Sequence, residues 1–575
     1  MISKILYFFD KEQRKLLIFL FGFMLIATFL EMTGLGFVFS IVGSINPEGD
    51  KSNFLTNFLV TNFQLDSTQI LSYLLIFFLI FYLIKILFLI FYNWFESNFL
   101  YSYKEQLSSK VFKSYLNQNF SFFYNRNSSE FLRNLISEVD QFAVYFKSIL
   151  QLILEATVII GIFVFLSYIN FYITVFISLT FLFFASLYYF TLKGKLNSWG
   201  LERLSNAQKK IQFMQEGFDG IKIIKLLGRE KFFFDKFKKH NFNLSRISAL
   251  TVFFQSVPRL MFELVGVILI TASLSILYFS GKNLIEITQI LSIYVAASFR
   301  ILPSVNKLVT GVQLIKLSYP AMNVLHKELK NFKKDQTFSG EKFSFEKNIL
   351  VDIKKFRYPN SESFEISDIK FDISKGQKIG IIGASASGKS TVMEILTGIS
   401  EPTQGNIEVD GKSIFSNIKG WQKLIGLVPQ KIFILDESLR NNILFGLDNK
   451  KYKDDQILSM IKKLSLEGLL KRLPGGLDGN LGEKGINLSG GEIQRIGLCR
   501  ALIYDPEILF LDEATSSLDI GTESQILNEI EIFKDKTIIS IAHRINTLKN
   551  CEKIYRFDHG KIVDHGNFDK FKTLN

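Results

Sequence analysis

The chain has 575 residues, 48% of them hydrophobic, with 60 phenylalanines and a formal net charge of +13 at pH 7. That balance excludes a small single domain and describes a membrane protein with a large polar portion. The basic excess gathers in loops between apolar runs, and no DNA- or RNA-reading motif accompanies it, so nucleic acid is not the expected partner. The only cysteines, Cys499 and Cys551, both lie in the polar portion, which argues for a reducing compartment without structural disulfides.

At the N-terminus Ile2, Ile5, Leu6 and Phe9 share one side of a short helix flanked by Lys4, Lys11, Arg14 and Lys15, the pattern of an interfacial lead-in. The apolar run from Leu16 to about Ile45 is too long for a signal-peptide core and predicts the first span. Phe54, Leu55, Phe58, Leu59 and Phe63 then recur at helical spacing, consistent with an amphipathic helix on the outer membrane face or with a plain loop. Further spans follow at about Ile70–Asn93, Ala143–Tyr168, a fourth ending near Leu192 after a tight connection at Ile169-Asn170, Leu250–Phe279 and Ile285–Leu317. Six spans put both termini in the cytoplasm. The outer loops contain only Lys51 and Lys282 as basic residues, whereas the second inner stretch, Lys193 to Ser248, is rich in them, so the charge distribution agrees. Both inner stretches read as helical extensions that turn around at Asn125–Ser128 and at Gly228-Arg229-Glu230.

Apolar periodicity fades from His326, giving a transmembrane domain over 1–325, a linker over 326–345 and a soluble α/β domain over 346–575. That domain opens with two short antiparallel strands, Ile349–Tyr358 and Phe364–Ile373. Next comes an apolar strand, Lys378–Ile382, and then Gly383, Ala384, Ser385, Ala386, Ser387, Gly388, Lys389, Ser390 and Thr391, which open a helix through Leu396. The first eight fit the phosphate-binding pattern G-x-x-x-x-G-K-S, in which backbone N–H groups wrap phosphates, the lysine supplies charge and the serine hydroxyl can hold Mg²⁺. Downstream, the strand Ile508–Leu511 delivers Asp512 and Glu513, suited to Mg²⁺ and to polarising water respectively.

With Leu488-Ser489-Gly490-Gly491-Glu492 the sequence resembles the signature motif of ATP-binding-cassette proteins, and the likeness covers nearly the whole chain. It implies that Tyr358 stacks on adenine, Gln430 is the switch-loop glutamine, Ser517-Leu518-Asp519 the dimer-contact loop and His543 the switch histidine. It further implies that Ser489, Gly490 and Gly491 of one copy close over ATP held by another. The expected assembly is therefore a homodimeric exporter in a bacterial inner membrane, its ATPase domains cytoplasmic and the inner turns near Asn127 and Gly228 relaying the motion. The chain departs from the family's usual glycine at Ala386 and usual glutamine at Glu492.

Charges inside spans are costly and point to a cavity or a partner. Lys85, Arg259, Arg300 and Lys307 are placed to suit an anionic group such as a pyrophosphate, or else to snorkel or pair with Glu31 and Glu263. The segments around them resemble bacterial flippases of lipid-linked oligosaccharides, which implies a polyprenyl-diphosphate-linked glycan as the substrate. Another amphiphile such as a lipid A precursor, drug or peptide is the alternative, and an ATP-gated channel or membrane-bound regulator the alternative of another class.

Overall fold

The computed structural model describes residues 4, 7–44, 67–124, 126–279, 284–330, 343–359, 364–514 and 519–572. They form two compact units: Met1–Gln118 with Arg126–Lys333, and Asn119–Asn125 with Lys334–Asn575. The expected outer amphipathic helix at 54–63 and the Ser517-Leu518 pair lie outside the described residues.

The first unit is helical because a hydrocarbon environment requires each backbone polar group to be satisfied within its own segment. Its helices are α1 Lys11–Ser44, α2 Ser67–Leu116, α3 Ser128–Arg133, α4 Val139–Ile169, α5 Phe171–Asp219, α6 Ile221–Leu227, α7 Glu230–Phe279 and α8 Leu284–Lys330. Among the described residues five segments are long and apolar enough to cross a membrane, in α1, α2, α3–α4, α5 and α7. The sixth predicted span falls within α8, a continuous helix of 47 residues. At 49 residues, α5 is about 73 Å long, more than twice the hydrocarbon thickness, so the spans do continue as helical extensions.

Local chemistry explains the turns. The Asn170 side chain accepts a hydrogen bond from Ile173 N–H at 3.2 Å and caps α5, fixing the tight reversal from α4. Gly228 ends α6 at φ +60°, where glycine carries no Cβ penalty. There Arg229 N–H donates to Ile224 O at 3.0 Å and Gly228 N–H to Lys225 O at 3.4 Å, the paired bonds of a Schellman cap.

Two expectations need correction. Of the expected interfacial face, Ile2, Ile5 and Leu6 lie outside the described residues, and Phe9 does not lie on a membrane surface: with its neighbour Phe8 it is buried against Tyr103, Phe142 and Phe146, and the Tyr103 hydroxyl donates to Phe8 O at 2.8 Å. The linker also begins later than residue 326, because α8 continues to Lys330. Its charged last turns hide a buried face of Leu325, Glu328 and Leu329, and Glu328 pairs with Arg126 at 2.6 Å.

In the second unit one sheet is antiparallel, ordered β2-β1-β4-β5, from β1 Asn348–Phe356, β2 Ile366–Ser374, β4 Gln404–Val409 and β5 Lys412–Ser413. The other has the order β10-β9-β3-β8-β7-β6, from β3 Lys378–Gly383, β6 Ile425–Val428, β7 Ile508–Asp512, β8 Thr537–Ile541, β9 Lys553–Asp558 and β10 Lys561–Gly566. All its pairings are parallel except β9 with β10. The helices used below are α9 Lys389–Leu396, α10 Asp454–Lys463, α11 Glu467–Arg472, α12 Gly490–Leu502 and α13 Ile520–Glu531.

A Cβ at Gly200 on α5 would sit 2.5 Å from Leu317 O and 3.1 Å from Pro320 Cγ on α8. Gly200→Val should therefore pry the helices apart and destabilise the unit by about 1–3 kcal/mol. Thermal unfolding of the purified protein in detergent checks this; an unchanged midpoint would mean that the close approach is not needed.

Candidate functional site

The strand order decides the site. Since β3, β8, β7 and β6 are adjacent and parallel, everything leaving their C-terminal ends meets on one edge. Leaving β3 is the loop Gly383–Gly388, and leaving β8 is His543. Asp512 and Glu513 lie at the end of β7, and Gln430 follows β6. Tyr358 from beyond β1, Gln430, Glu513 and His543 line a cavity of about 480 Å³ together with Ser385, Ala386, Ser387, Gly388, Lys389, Ser390 and Thr391, and Asp512 sits behind its wall, next to Glu513.

Lys389 is buried, and its ammonium donates to Gly383 O at 3.0 Å and Ala384 O at 2.9 Å. Burial pushes its pKa down, against the opposing pull of Glu513 and Asp512. Glu513 is gripped on both oxygens: Gln430 Nε2 donates to Oε2 at 2.5 Å, and His543 Nε2 lies 2.6 Å from Oε1. Asp512 has a buried Oδ1 with no hydrogen-bond partner, and burial, with Glu513 adding, pushes its carboxyl up to about 6. An orphaned buried carboxylate oxygen adjoining Glu513, with the Ser390 hydroxyl and the Gln430 amide on the cavity wall, is a donor set whose chemistry fits Mg²⁺. The Tyr358 hydroxyl donates to Thr391 Oγ1 at 2.9 Å and Glu394 Oε2 at 3.0 Å, which holds its ring at the cavity wall.

Ala386, where the family's usual residue is glycine, sits at φ +61° in the left-handed region. An alanine there is strained by roughly 1–2 kcal/mol. Gly388 at φ +102° opens α9, and a Cβ there would meet Phe364 at 3.2 Å.

Ser489, Gly490 and Gly491 do not belong to this cavity; they open α12 elsewhere in the same unit. Ser489 caps that helix, its Oγ accepting from Glu492 N–H at 3.2 Å while its own N–H donates to Glu492 Oε2 at 2.8 Å. Burial pushes the Glu492 carboxyl up, but the Ser489 backbone, Arg472 and the Ser489 hydroxyl outweigh it and hold it below the usual range.

The four span cations do not share one environment. Lys85 is buried and bonded to Glu31 at 2.8 Å. Arg300 Nε approaches Glu31 Oε1 at 3.2 Å, and its Nη1 lies 3.7 Å from Glu155 Oε2. Glu155 also accepts from Lys307 at 2.7 Å and from Ser304 Oγ at 2.6 Å. Glu31 is thus a partner as expected, but the other carboxylate is Glu155, and Glu263 is exposed together with Arg259.

Three groups escaped sequence reasoning. Phe364 lines the nucleotide-sized cavity; the Tyr124 ring packs edge-on to Tyr358 at 4.8 Å, and its hydroxyl donates to Glu394 at 2.7 Å. Neither residue stands in a motif, and Glu155 is separated from Lys307 by 152 positions.

These features define a membrane-embedded helical unit joined to a phosphate-loop ATPase. Residues 17–301 match the family described as "ABC transporter transmembrane region", and residues 366–516 match "ABC transporter". The chain belongs to the ABC transporters as an exporter half-transporter: an ATP-driven exporter whose ATP hydrolysis is coupled to transport. It is 26% identical over 475 residues to the "Heterocyst differentiation ATP-binding protein HepA" of Nostoc, covering 81% of this chain and 76% of that protein. Over 222 residues it is 34% identical to the "ATP-dependent lipid A-core flippase" of Pasteurella multocida, 38% of each chain. Its fold matches a bacterial Atm1-family ABC exporter solved with ATP bound, with a TM-score of 0.79 over 98% of this chain and 97% of that one at 17% identity.

Because the Asp512 pKa is raised in the fold, the metal-free protein is favoured by protonation there, and that advantage disappears as pH rises through about 6. Asp512→Asn should raise the metal-free thermal midpoint at pH 7.5 and abolish the further rise given by Mg²⁺ in the native chain. Equal Mg²⁺ responses in both would remove Asp512 from the metal site. At Ala386 a β-branched side chain fits the left-handed region worse still. Ala386→Val should weaken ATP binding by tenfold or so, whereas Ala386→Gly should not, with ATP titration as the measurement.

Proposed function

We propose that two copies of this chain form an ATP-driven flippase for an anionic lipid, with a polyprenyl-diphosphate-linked oligosaccharide as the substrate class. Within each copy Lys389 and the loop amides take the phosphates, Tyr358 takes the adenine face, and Ser390, Gln430 and Asp512 hold Mg²⁺. The bound Mg²⁺ would offset phosphate charge. Glu513 polarises the attacking water once released from its two partners, and His543 senses the γ-phosphate. Ser489, Gly490 and Gly491 of the second copy complete the site, and the turns near Asn127 and Gly228 relay closure to the spans.

The observation that carries the lipid reading is the charge cluster in the spans. Lys85, Arg300 and Lys307 form ion pairs with two carboxylates, Glu31 and Glu155, and Glu96 lies in the field of Lys307 and Lys147, so among the described residues four cations meet three carboxylates and one positive charge is in excess. The Lys307 side chain keeps 44% of its exposure and that of Arg300 24%, against 8% for Lys85. Arg300 and Lys307, with exposed Arg259, are therefore the groups open to a diphosphate, and Lys85 holds Glu31 in place behind them. The Pasteurella relative is named for flipping lipid A-core, and this favours lipid A as the second reading.

Reconstituted in proteoliposomes, the native chain should flip a polyprenyl-diphosphate glycan when ATP is added. Glu513→Gln should not, and Arg300→Ala with Lys307→Ala should lose at least tenfold of the rate. Flipping of lipid A in preference to the glycan would transfer the assignment to the second reading. Unimpaired flipping by the double variant would return both cations to a structural role.

A further inference from the structure

The signature carries a glutamate, Glu492, beside the serine that is to meet a nucleotide phosphate, and a second anion there opposes the meeting. In this structure the Ser489 hydroxyl donates to Glu492 Oε2 at 3.0 Å while accepting from the Glu492 N–H. Its proton is therefore engaged by the very carboxylate that repels phosphate. One cation answers that charge. Arg472, in the last turn of α11, places Nη2 3.0 Å from Glu492 Oε1 and 3.1 Å from Oε2, and donates to Asn487 O at 3.3 Å. The guanidinium reaches across 20 residues of sequence to Glu492 and across 15 to Asn487, the residue preceding Leu488, so it braces the approach to the signature as well as its charge.

We propose that Arg472 is a positioning residue for ATP-driven closure. It holds Glu492 as a neutralised pair, so that the Ser489 hydroxyl can leave the carboxylate and turn to the phosphate without uncovering a bare anion beside it. The proposal rests on the reading that the signature of one copy closes over ATP on the other. It explains how this chain accommodates a glutamate at the signature: the added charge has a dedicated partner on a neighbouring helix. The Arg472 side chain is 58% exposed and that of Glu492 17%, so the pair is accessible to screening and its effect is moderate.

The test is ATPase kinetics of the full chain in two backgrounds. Arg472→Ala should raise the KM for ATP by about threefold to tenfold with a smaller change in kcat, and Arg472→Lys should restore most of the loss. With Glu492→Gln already present, Arg472→Ala should change KM by less than about twofold, because the charge it answers is gone. An equal loss in both backgrounds would reduce Arg472 to a structural brace and overturn the proposal. To separate this from failure of the underlying reading, spin labels at Lys549→Cys on the two copies are followed in the Glu513→Gln protein. ATP-dependent change in their separation supports closure between copies; its absence would sink the shared-site reading itself, whatever the kinetics of Arg472.

Discussion

The constraint on which the site depends is the position of β3 between two parallel partners. Ile379 pairs with Ile539 on one side and with Lys553 on the other, and Ile379 and Ile381 are fully buried. A Cβ on Gly380 would sit 2.6 Å from Leu548 Cδ1, so there is no room for the strand to shift its register. A one-residue slip would turn its buried side chains over. With β3 fixed, the phosphate loop leaves at one place only, and the parallel run through β8, β7 and β6 sets the distance to His543, Glu513 and Gln430. Catalytic geometry is thus a property of strand order, and the loops need supply only the groups.

The helical unit solves a different problem, that of keeping charge in a low-dielectric environment. An isolated ion there costs several kcal/mol even after relaxation, and removing one member of a pair leaves the other uncompensated. Glu31 and Glu155 join Lys85, Arg300 and Lys307 across α1, α2, α4 and α8, so charges from four helices are settled in one cluster. Because the cations outnumber the carboxylates, pairing leaves positive charge over, which is compatible with the proposed role in taking an anionic substrate. Pairing and substrate recognition need not be rival accounts of these residues.

Much of the cassette was legible in the sequence, for a physical reason. A phosphate loop needs glycine at fixed offsets and an apolar strand before it, and those requirements are local. The strands β1, β2, β3 and β7 accordingly appear where alternation and apolar runs place them, and Gly228 ends its helix as its residue type demands. What was not legible is tertiary. The role of Glu155 depends on two helices far apart in sequence, Phe364 and Tyr124 approach the site without any motif, and the buried face of Leu325 and Leu329 is masked by the lysines around it. Phe9 shows the same limit, since an aromatic residue beside basic ones reads alike whether it meets lipid or a helix bundle.

One property emerges only when the nucleotide groups are considered together. Each is already occupied by a partner in the chain: Lys389 by the carbonyls of Gly383 and Ala384, Glu513 by Gln430 and His543, and the Ser489 hydroxyl by Glu492. Leaving the buried Lys389 and Glu513 unpaired would cost about 1–3 kcal/mol each, so local partners stabilise the site before ligand arrives. The same partners mean that ATP exchanges hydrogen bonds for others and gains less than the number of its contacts suggests. A modest net gain suits a site that must open again after each hydrolysis. Ser387 Oγ and Asp512 Oδ1 are exceptions, since neither has a partner, and the Asp512 charge is held at a cost. A cation arriving with the nucleotide would relieve that cost, which is the physical basis of the proposed role of Asp512 in holding Mg²⁺.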